Sequence, residues 1–261
     1  MPTKNELIQV FDDNVINYSK YRPKYPRELV DDIIQLSKIQ SNGKILEIGC
    51  GTGKITFPFA KQGYKITGLE KGSSLAEFTI MSLKNFLKVD IKNISFEDWE
   101  PESERYDIVL SAQAFHWIEP DYGLVKANQI LYKNGSLCLI WNLDRSNTTQ
   151  FWKLTNPIYE KYLPSNKSNK SLDNFVRIYE KKINAMDIFE MVQLKSYKWE
   201  KKYQKEEYLG LLKTFSDHMT LEESKRVEFF SEIEKIIDLT GNIVKRKYET
   251  VLLFSRKSKL S

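Results

Sequence analysis

Short apolar runs alternate with amphipathic segments through the first half of the chain. The runs predict strands at residues 45–48, 65–69, 86–89, 106–112 and 136–142. Apolar side chains at helical spacing predict helices at residues 7–16, 27–38, 54–62, 73–84 and 121–132. Continuous apolar runs suit strands that are covered on both faces, and alternating strands and helices build parallel sheets. The pattern therefore predicts an α/β protein with a doubly wound parallel sheet.

The regular alternation of strands and helices ends at residue 147, and the hydrophobic pattern that follows predicts more helices than strands. Amphipathic stripes predict helices at 150–162, 206–214 and 221–239, and alternation predicts strands at 191–203 and 244–256. The polar stretch 164–172 is typical of a loop. We expect His218 and the basic run Lys245, Arg246 and Lys247 to lie on the surface.

Composition narrows the class of protein without choosing a function. The chain has 261 residues, of which 29% are charged and 41% hydrophobic, as in ordinary globular domains. The formal net charge of +5 neither requires nor excludes nucleic acid. The two cysteines, Cys50 and Cys138, lie in predicted core segments, which argues against a disulfide framework or a zinc site. No apolar stretch could span a membrane and no signal peptide begins the chain, so we expect a cytoplasmic protein without a bound metal.

The stretch I-L-E-I-G-C-G-T-G, residues 45–53, carries the strongest chemical signal. Glycines on alternate positions permit positive φ and close backbone approach, and a following helix would present free N–H groups to an anion. The dinucleotide fingerprint needs a third glycine, where this chain has Lys54 or Thr56, so NAD or FAD fits poorly. The phosphate loop is absent as well, because no Gly-Lys-Ser/Thr follows.

The remaining pattern, E-x-G-x-G-x-G, resembles motif I of the class I S-adenosylmethionine-dependent methyltransferases. The resemblance implies a Rossmann-like sheet of seven strands in the order 3-2-1-4-5-7-6, with the last strand antiparallel, helices on both faces and a helical cap. It implies one domain, 1–261. Its parts would be lid helices at 1–40, a cofactor-binding core at 41–145, a cap insertion with the sixth strand at 146–240, and the last strand at 241–261. The cofactor would be S-adenosylmethionine (SAM), and the product S-adenosylhomocysteine (SAH).

The resemblance also implies which residues hold the cofactor. The turn passes under its methionine part, and Glu47 helps hold the amino group; the turn residues are Gly49, Cys50, Gly51, Thr52 and Gly53. Glu70 stands at the end of the second strand, where a carboxylate can accept hydrogen bonds from a ribose diol, whether of SAM or of NAD.

Further along, the resemblance places Lys71 near the adenine, Asp90 at the adenine amino group and Ile91 against the ring. The alternative for Asp90 is an exposed turn aspartate. Gln113, at the end of the fourth strand, completes the predicted cofactor set.

The pattern Y-x-x-x-R-P-x-Y-P, residues 18–26, admits two interpretations. Pro23 and Pro26 favour an extended linker. The pattern also resembles the N-terminal lid of a methyltransferase subgroup that includes trans-aconitate-like and other small-molecule enzymes. In that reading Tyr18, Tyr21 and Arg22 face the cofactor pocket, and Arg22 pairs with a carboxylate of cofactor or substrate.

The fourth strand ends in A-Q-A-F-H-W, residues 112–117, and this segment bears on the acceptor. The enzymes that methylate amino groups of nucleic acid bases carry an Asn/Asp-Pro-Pro-Tyr/Phe turn here, which this chain lacks. The form present resembles the small-molecule subgroup. His116 is the candidate catalytic residue as a general base; the alternative is a histidine that shapes the pocket wall by packing.

The sequence therefore predicts a SAM-dependent methyltransferase that acts on a small molecule, and Arg22 favours a carboxylate acceptor. The alternatives are an RNA (tRNA) methyltransferase, a non-catalytic SAM-binding protein and an NAD-linked oxidoreductase. We expect a monomer or homodimer with no nucleic acid or membrane partner.

Overall fold

The computed structural model describes residues 14–101, 103–164 and 168–259, without the side chains of 168–172. Its strands form one mixed sheet in the order β3-β2-β1-β4-β5-β7-β6, which confirms the predicted order. The strands are β1 Lys44–Ile48, β2 Lys65–Leu69, β3 Val89–Lys92, β4 Tyr106–Ala112, β5 Leu131–Asp144, β6 Gln193–Gln204 and β7 Ile243–Arg256. The predicted bounds of β2 and β4 are confirmed, whereas β3 begins three residues later than predicted.

The described α-helices agree with most of the predicted ones. They span Val15–Tyr21, Arg27–Ser37, Thr56–Lys61, Ser73–Leu83, Pro120–Ile130, Gln150–Tyr162, Ser168–Ala185, Lys205–Leu212, Ser216–Met219 and Glu223–Leu239. Short 3-10 turns cover Phe115–Trp117 and Ser146–Thr148. The predicted helix at 7–16 falls largely outside the described residues.

Two predicted irregular segments prove to be helical. Residues 18–21 belong to the helix Val15–Tyr21, and the extended path begins only at Arg22, whose φ is −55° and ψ 141°. The polar stretch predicted as a loop overlaps the helix Ser168–Ala185. Its apolar residues, such as Val176, Tyr179 and Ile183, recur at helical spacing and are buried, which is the signal that the polar composition obscures.

The chain divides into two compact units, which we name the core unit and the aromatic unit. The core unit comprises Lys24–Asn142, Leu172–Tyr197 and Thr250–Ser261. Here β1 pairs in parallel with β2 on one side and β4 on the other, β2 with β3, and β4 with β5. Since β1 is central, its residues Leu46 and Ile45 are almost wholly buried, as a strand covered on both faces requires.

The aromatic unit comprises Met1–Pro23, Leu143–Ser171 and Lys198–Glu249. A cluster of rings fills its interior, with Phe229 and Tyr203 completely buried. Tyr21, on the helix Val15–Tyr21, packs against Gly210, where an added Cβ would meet its ring at 2.2 Å. The close approach of these two helices is the physical reason for a glycine there.

Among the described residues, no helix combines the length and apolar character that crossing a bilayer demands.

Candidate functional site

The glycine turn leaves β1 and folds back over the end of β2. Its three glycines have φ values of 68°, 54° and 74°, a region that side chains rarely adopt. The backbone N–H groups of Gly49 and Cys50 both donate to the carbonyl oxygen of Leu69, at 2.8 and 3.0 Å. A Cβ on Gly49 would lie 2.4 Å from the Cβ of Ala114, so the end of β4 approaches the turn closely. The alternate glycines are thus required by backbone geometry.

The helix after the turn begins at Thr56, two residues later than predicted, and has six residues. Seven residues, 49–55, separate β1 from it. The helix N-terminus therefore does not carry the site, and the chemistry comes from the turn and from two acidic side chains.

Glu70 braces the turn from the end of β2. Its Oε2 accepts a hydrogen bond from the backbone N–H of Gly51 at 2.8 Å, and its Oε1 accepts one from Gly72 at 2.9 Å. The side chain is buried, and these two donors orient the carboxylate beside the turn. Lys71, which follows it, is exposed.

Glu47 is the second acidic side chain at the turn, and it is more deeply buried. The hydroxyl of Thr56 donates to its Oε2 at 2.7 Å. Burial raises the pKa of Glu47 to about 8; the Thr56 hydroxyl opposes this, and the nearby charge of Glu70 adds to it. A positively charged ligand at the turn would favour the ionised form of Glu47.

The residues present fit SAM. Among the described residues, three buried side-chain atoms have no hydrogen-bond partner, although buried polar atoms normally have one. Two of them, Thr52 Oγ1 and Gln113 Oε1, belong to the glycine turn and to the end of β4, and the third is Ser136 Oγ in β5. Gln113 also holds a φ of 60°, a conformation that costs energy for a residue with a side chain. The two acidic groups suit a ligand with a sulfonium and an ammonium better than one with a pyrophosphate.

The predicted turn residue Cys50 does not present its thiol to a ligand. Its side chain packs beneath Gly68 of β2, where an added Cβ would lie 3.2 Å from the sulfur. Burial raises the pKa of the thiol well above its usual range. Its neighbour across β2 is Ile91, whose Cδ1 would lie 2.6 Å from that same Cβ, so Ile91 faces the side of the sheet that carries Cys50.

Asp90 is the predicted cofactor residue that the structure does not bring to the turn. Because β3 extends to Lys92, Asp90 lies inside the strand, opposite Thr67 of β2. Its carboxylate is 3.8 Å from the ammonium of Lys92, and it lines a cavity of about 690 Å³ together with Lys44 and Lys65. Those lysines are the first residues of β1 and β2, whereas the glycine turn follows the last residue of β1. The prediction for Asp90 rested on ending β3 too early.

Asn93 is the first residue after β3, the position that was predicted for Asp90. Its side-chain amide donates to the carbonyl oxygens of Glu70 at 2.9 Å and Lys71 at 3.1 Å. The segment after β3 thereby borders Glu70. The turn-forming residues Asn93 and Ser95, on either side of Ile94, were the available signal that β3 ends at Lys92.

His116, the candidate base, is held in an apolar setting within the core unit. The indole N–H of Trp141 donates to its Nδ1 at 3.3 Å, which places the imidazole proton on Nε2. Burial lowers the pKa of His116 to about 4, so the ring is neutral at physiological pH. The rings of Trp117 and Phe175 lie 5.2 and 5.4 Å from it. This geometry favours the packing alternative over the general base.

The predicted lid residues Tyr18 and Arg22 belong to the aromatic unit. The guanidinium of Arg22 donates to the hydroxyl of Thr214 at 2.8 Å and to its carbonyl oxygen at 2.7 Å. Its central carbon lies 4.3 Å from the ring centre of Phe215 and 5.2 Å from that of Tyr18. Arg22 is therefore held on aromatic faces, an arrangement favourable to a guanidinium.

Two expectations about the surface are wrong in the aromatic unit. Arg246 forms an ion pair with Asp144, and its guanidinium lies over the rings of Phe215 and Tyr248, at 5.6 Å from each. His218 is buried, its Nδ1 lies 3.0 Å from the carbonyl oxygen of Leu212, and burial lowers its pKa. Alternation along β7 turns Arg246 inward, whereas Lys245 and Lys247 are exposed as predicted.

Comparison with known proteins agrees with the geometry. A family model described as a methyltransferase domain matches residues 45–135. The chain is 25% identical over 232 residues to an uncharacterized methyltransferase of Schizosaccharomyces pombe, covering 88% of this chain and 87% of that protein. It is 29% identical over 166 residues to a probable S-adenosylmethionine-dependent methyltransferase of Saccharomyces cerevisiae, covering 62% and 55% respectively.

A solved structure shares the fold. The SAM-dependent methyltransferase of Thiobacillus denitrificans, in complex with SAH, has a TM-score of 0.54 and 13% identity, covering 92% of this chain and 96% of that one. The sheet order, the glycine turn and the relatives lead to one class: the chain is a class I SAM-dependent methyltransferase, and its cofactor is SAM.

Proposed function

We propose that this methyltransferase transfers the methyl group of SAM to a small molecule, and that the methylated group is a carboxylate. The cofactor contacts we propose come from Glu47, Glu70, Gln113 and the glycine turn. Tyr18, Arg22, Lys71 and Ile91 complete the proposed set. Both cysteines are free and buried, which suits the cytoplasmic location that we also propose.

The state of His116 is the observation that carries the proposal. A hydroxyl acceptor must lose a proton during transfer, so it needs a base with a free lone pair. His116 has its proton on Nε2 and its Nδ1 engaged by Trp141, and burial disfavours the charged ring. A carboxylate is already an anion at neutral pH and needs no base. A carboxylate is therefore the acceptor class that does not need His116 to act as a general base.

If no general base is needed, the residues of the site have only to bind the two reactants and align them. When bound, SAM supplies a methyl group already activated by its positively charged sulfur. We propose that the turn and the two acidic side chains bind and orient the cofactor, and that the oxygen of Gln113, which is buried without a partner, accepts a further hydrogen bond from it. Alignment of two reactants is worth up to roughly 7–11 kcal/mol of barrier. We propose that Arg22 contacts a carboxylate of the cofactor or of the acceptor, since its planar guanidinium matches that geometry.

The experiment is transfer of radiolabelled methyl from SAM to three panels: small mono-, di- and tricarboxylates, phenols and alcohols, and tRNA. We expect label in the carboxylate panel, in a product that releases methanol in alkali, because methyl esters hydrolyse there and methyl ethers do not. Arg22→Gln should lower this transfer more than Arg22→Lys, which keeps the charge.

The other outcomes separate the alternatives. Alkali-stable label in phenols or alcohols would overturn the carboxylate, and label in tRNA would replace the small molecule by RNA. Calorimetric titration of SAM, with NAD as the control ligand, tests the two remaining alternatives, a non-catalytic SAM-binding protein and an NAD-linked oxidoreductase. Micromolar binding of SAM that Glu70→Ala weakens, with no transfer to any panel, would point to a non-catalytic SAM-binding protein.

A further inference from the structure

One lysine of the core unit is buried against the backbone of a segment that contains no helix or strand. Lys126 lies on the helix Pro120–Ile130, with 9% of its side chain exposed. Its ammonium donates to the carbonyl oxygens of Phe96 at 2.9 Å, Glu97 at 3.2 Å and Trp99 at 2.6 Å. Three carbonyl groups for three N–H donors satisfy an ammonium that burial would otherwise penalise.

The other contacts of Lys126 enclose the same ammonium. The hydroxyl of Tyr122 lies 3.3 Å away, the ring centre of Phe96 5.2 Å and the carboxylate of Glu100 3.8 Å. The carboxylate of Glu100 is largely exposed, so the three carbonyl groups are the principal partners.

The segment that Lys126 holds runs from the end of β3 to Trp99. No helix or strand is assigned in the described residues from 93 to 105, so the segment has no backbone ladder of its own to fix its path. Phe96 and Trp99 are buried, and the carbonyl groups between them converge on Lys126. Within the segment, the N–H of Trp99 donates to the carbonyl oxygen of Ser95 at 3.0 Å, which makes a local turn. The ammonium of Lys126 adds three bonds that tie this turn to the helix Pro120–Ile130.

The same segment borders the glycine turn. Asn93, at its start, donates to the backbone oxygens of Glu70 and Lys71, and Glu70 in turn accepts from Gly51. In open α/β sheets the ligand binds outside the carboxyl ends of the strands, which is where residues 70 and 93 lie. A shift of the segment would be transmitted to the carboxylate that is proposed to bind the ribose.

We propose that Lys126 is a positioning residue for the nucleoside half of SAM: by holding the carbonyl groups of residues 96, 97 and 99, it fixes the segment 93–99 beside Glu70. The inference rests on the proposed role of Glu70 at the ribose. Lys126 touches no ligand in this scheme, and its effect passes through the backbone.

The test compares Lys126→Met with a matched control, Lys257→Met. Lys257 donates to the carbonyl oxygens of Asn128 at 2.8 Å and Leu131 at 3.3 Å, at the C-terminal end of the same helix. Both substitutions remove an ammonium that serves backbone carbonyls, and only the first touches the segment 93–99. The probes are SAH and 5′-methylthioadenosine, which keeps the nucleoside and lacks the amino acid.

We expect Lys126→Met to weaken both probes by about tenfold, and Lys257→Met to leave both within about twofold of the wild type. Hydrogen–deuterium exchange of residues 93–99 should accelerate in Lys126→Met and not in Lys257→Met. Lys126→Arg, which keeps donors and charge, should fall between Lys126→Met and the wild type; if Lys126→Met does not fold, it replaces that variant.

Two results would overturn the inference. One is wild-type affinity for both probes in the Lys126 variant, whatever its exchange. The other is an equal loss of affinity in Lys257→Met, which would make the effect a general one of stability. Failure of the wild-type protein to bind SAH would instead contradict the proposed site itself, so the two failures are distinguishable.

Discussion

The glycine turn of the core unit and the interior of the aromatic unit bury charged groups of opposite sign. At the turn of the core unit, two acidic side chains are buried close together, and backbone N–H groups and a hydroxyl are their hydrogen-bond donors. In the aromatic unit, Arg246 is paired with Asp144 among rings. At the first site, burial and the charge of Glu70 disfavour the ionised form of Glu47, whereas at the second the buried arginine forms an ion pair with Asp144.

The difference indicates which of the two is built to receive a ligand. Burial raises the pKa of Glu47 to about 8, so the protein without ligand holds that carboxyl partly neutral. The Asp144 carboxylate helps hold the pKa of Arg246 well above its usual range although burial opposes this. A buried carboxyl held near neutrality beside a second acidic side chain is a candidate for a site that a cationic ligand completes, whereas Arg246 with Asp144 is already a complete ion pair.

The largest predicted effect comes from breaking the completed pair. Arg246→Met leaves Asp144 buried without its cation, and removal of one partner of such a pair costs about 3–5 kcal/mol of unfolding free energy. The measurement is denaturant unfolding at pH 7. The control is the neighbouring pair of Arg145 with Glu249, at 2.9 Å and more exposed at its arginine.

Arg145→Met should cost no more than about 1 kcal/mol, because solvent screens that pair. Equal losses for the two arginines would contradict the comparison, since burial would then make no difference to the pair.

A smaller effect is expected from filling the glycine turn. Gly49→Ala combines a positive φ with a Cβ 2.4 Å from that of Ala114, for which we expect a loss of about 3 kcal/mol of unfolding free energy. Gly63→Ala is the matched control, because Gly63 has a φ of 84° and nothing within 4 Å of an added Cβ. It should lose about 1 kcal/mol from backbone strain alone.

Thermal unfolding of both variants separates strain from close approach. Adding Ala114→Gly to Gly49→Ala should recover the part caused by the contact between the two Cβ atoms. No recovery in the double variant would mean that backbone strain accounts for the whole effect.

The two sites also differ in how much of each could be predicted from the sequence. Residues 45–53 and Glu70 were predicted because strand, turn and acidic residue follow one another along the chain, and β2 and β4 have the predicted bounds. β3 was misplaced because Leu87 resembles a strand residue, yet it is 96% exposed. The pair of Arg246 and Asp144, the burial of His218 and the hydrogen bonds of Lys126 depend on segments distant in the chain. No local pattern encodes those contacts.

The least disruptive prediction concerns pH and leaves the fold intact. With a pKa of about 8, Glu47 is mostly protonated at pH 6 to 7 in the protein without ligand. With Glu47 in its proposed place at the cofactor's ammonium, binding would favour the ionised carboxylate, so binding should release a proton and affinity should rise with pH. Below pH 7 the SAH association constant should rise by nearly tenfold per pH unit, and it should level off above about pH 8.

The measurement is calorimetric titration of SAH from pH 6 to 8.5, and two controls isolate Glu47 as the source of the slope. In Glu47→Gln the slope should vanish, because the amide does not titrate. For 5′-methylthioadenosine on the wild-type protein the slope should also be small, because that ligand carries no ammonium to ionise Glu47. A slope that persists in Glu47→Gln would assign the proton to another group, and the turn would then be a site already satisfied, like the pair in the aromatic unit.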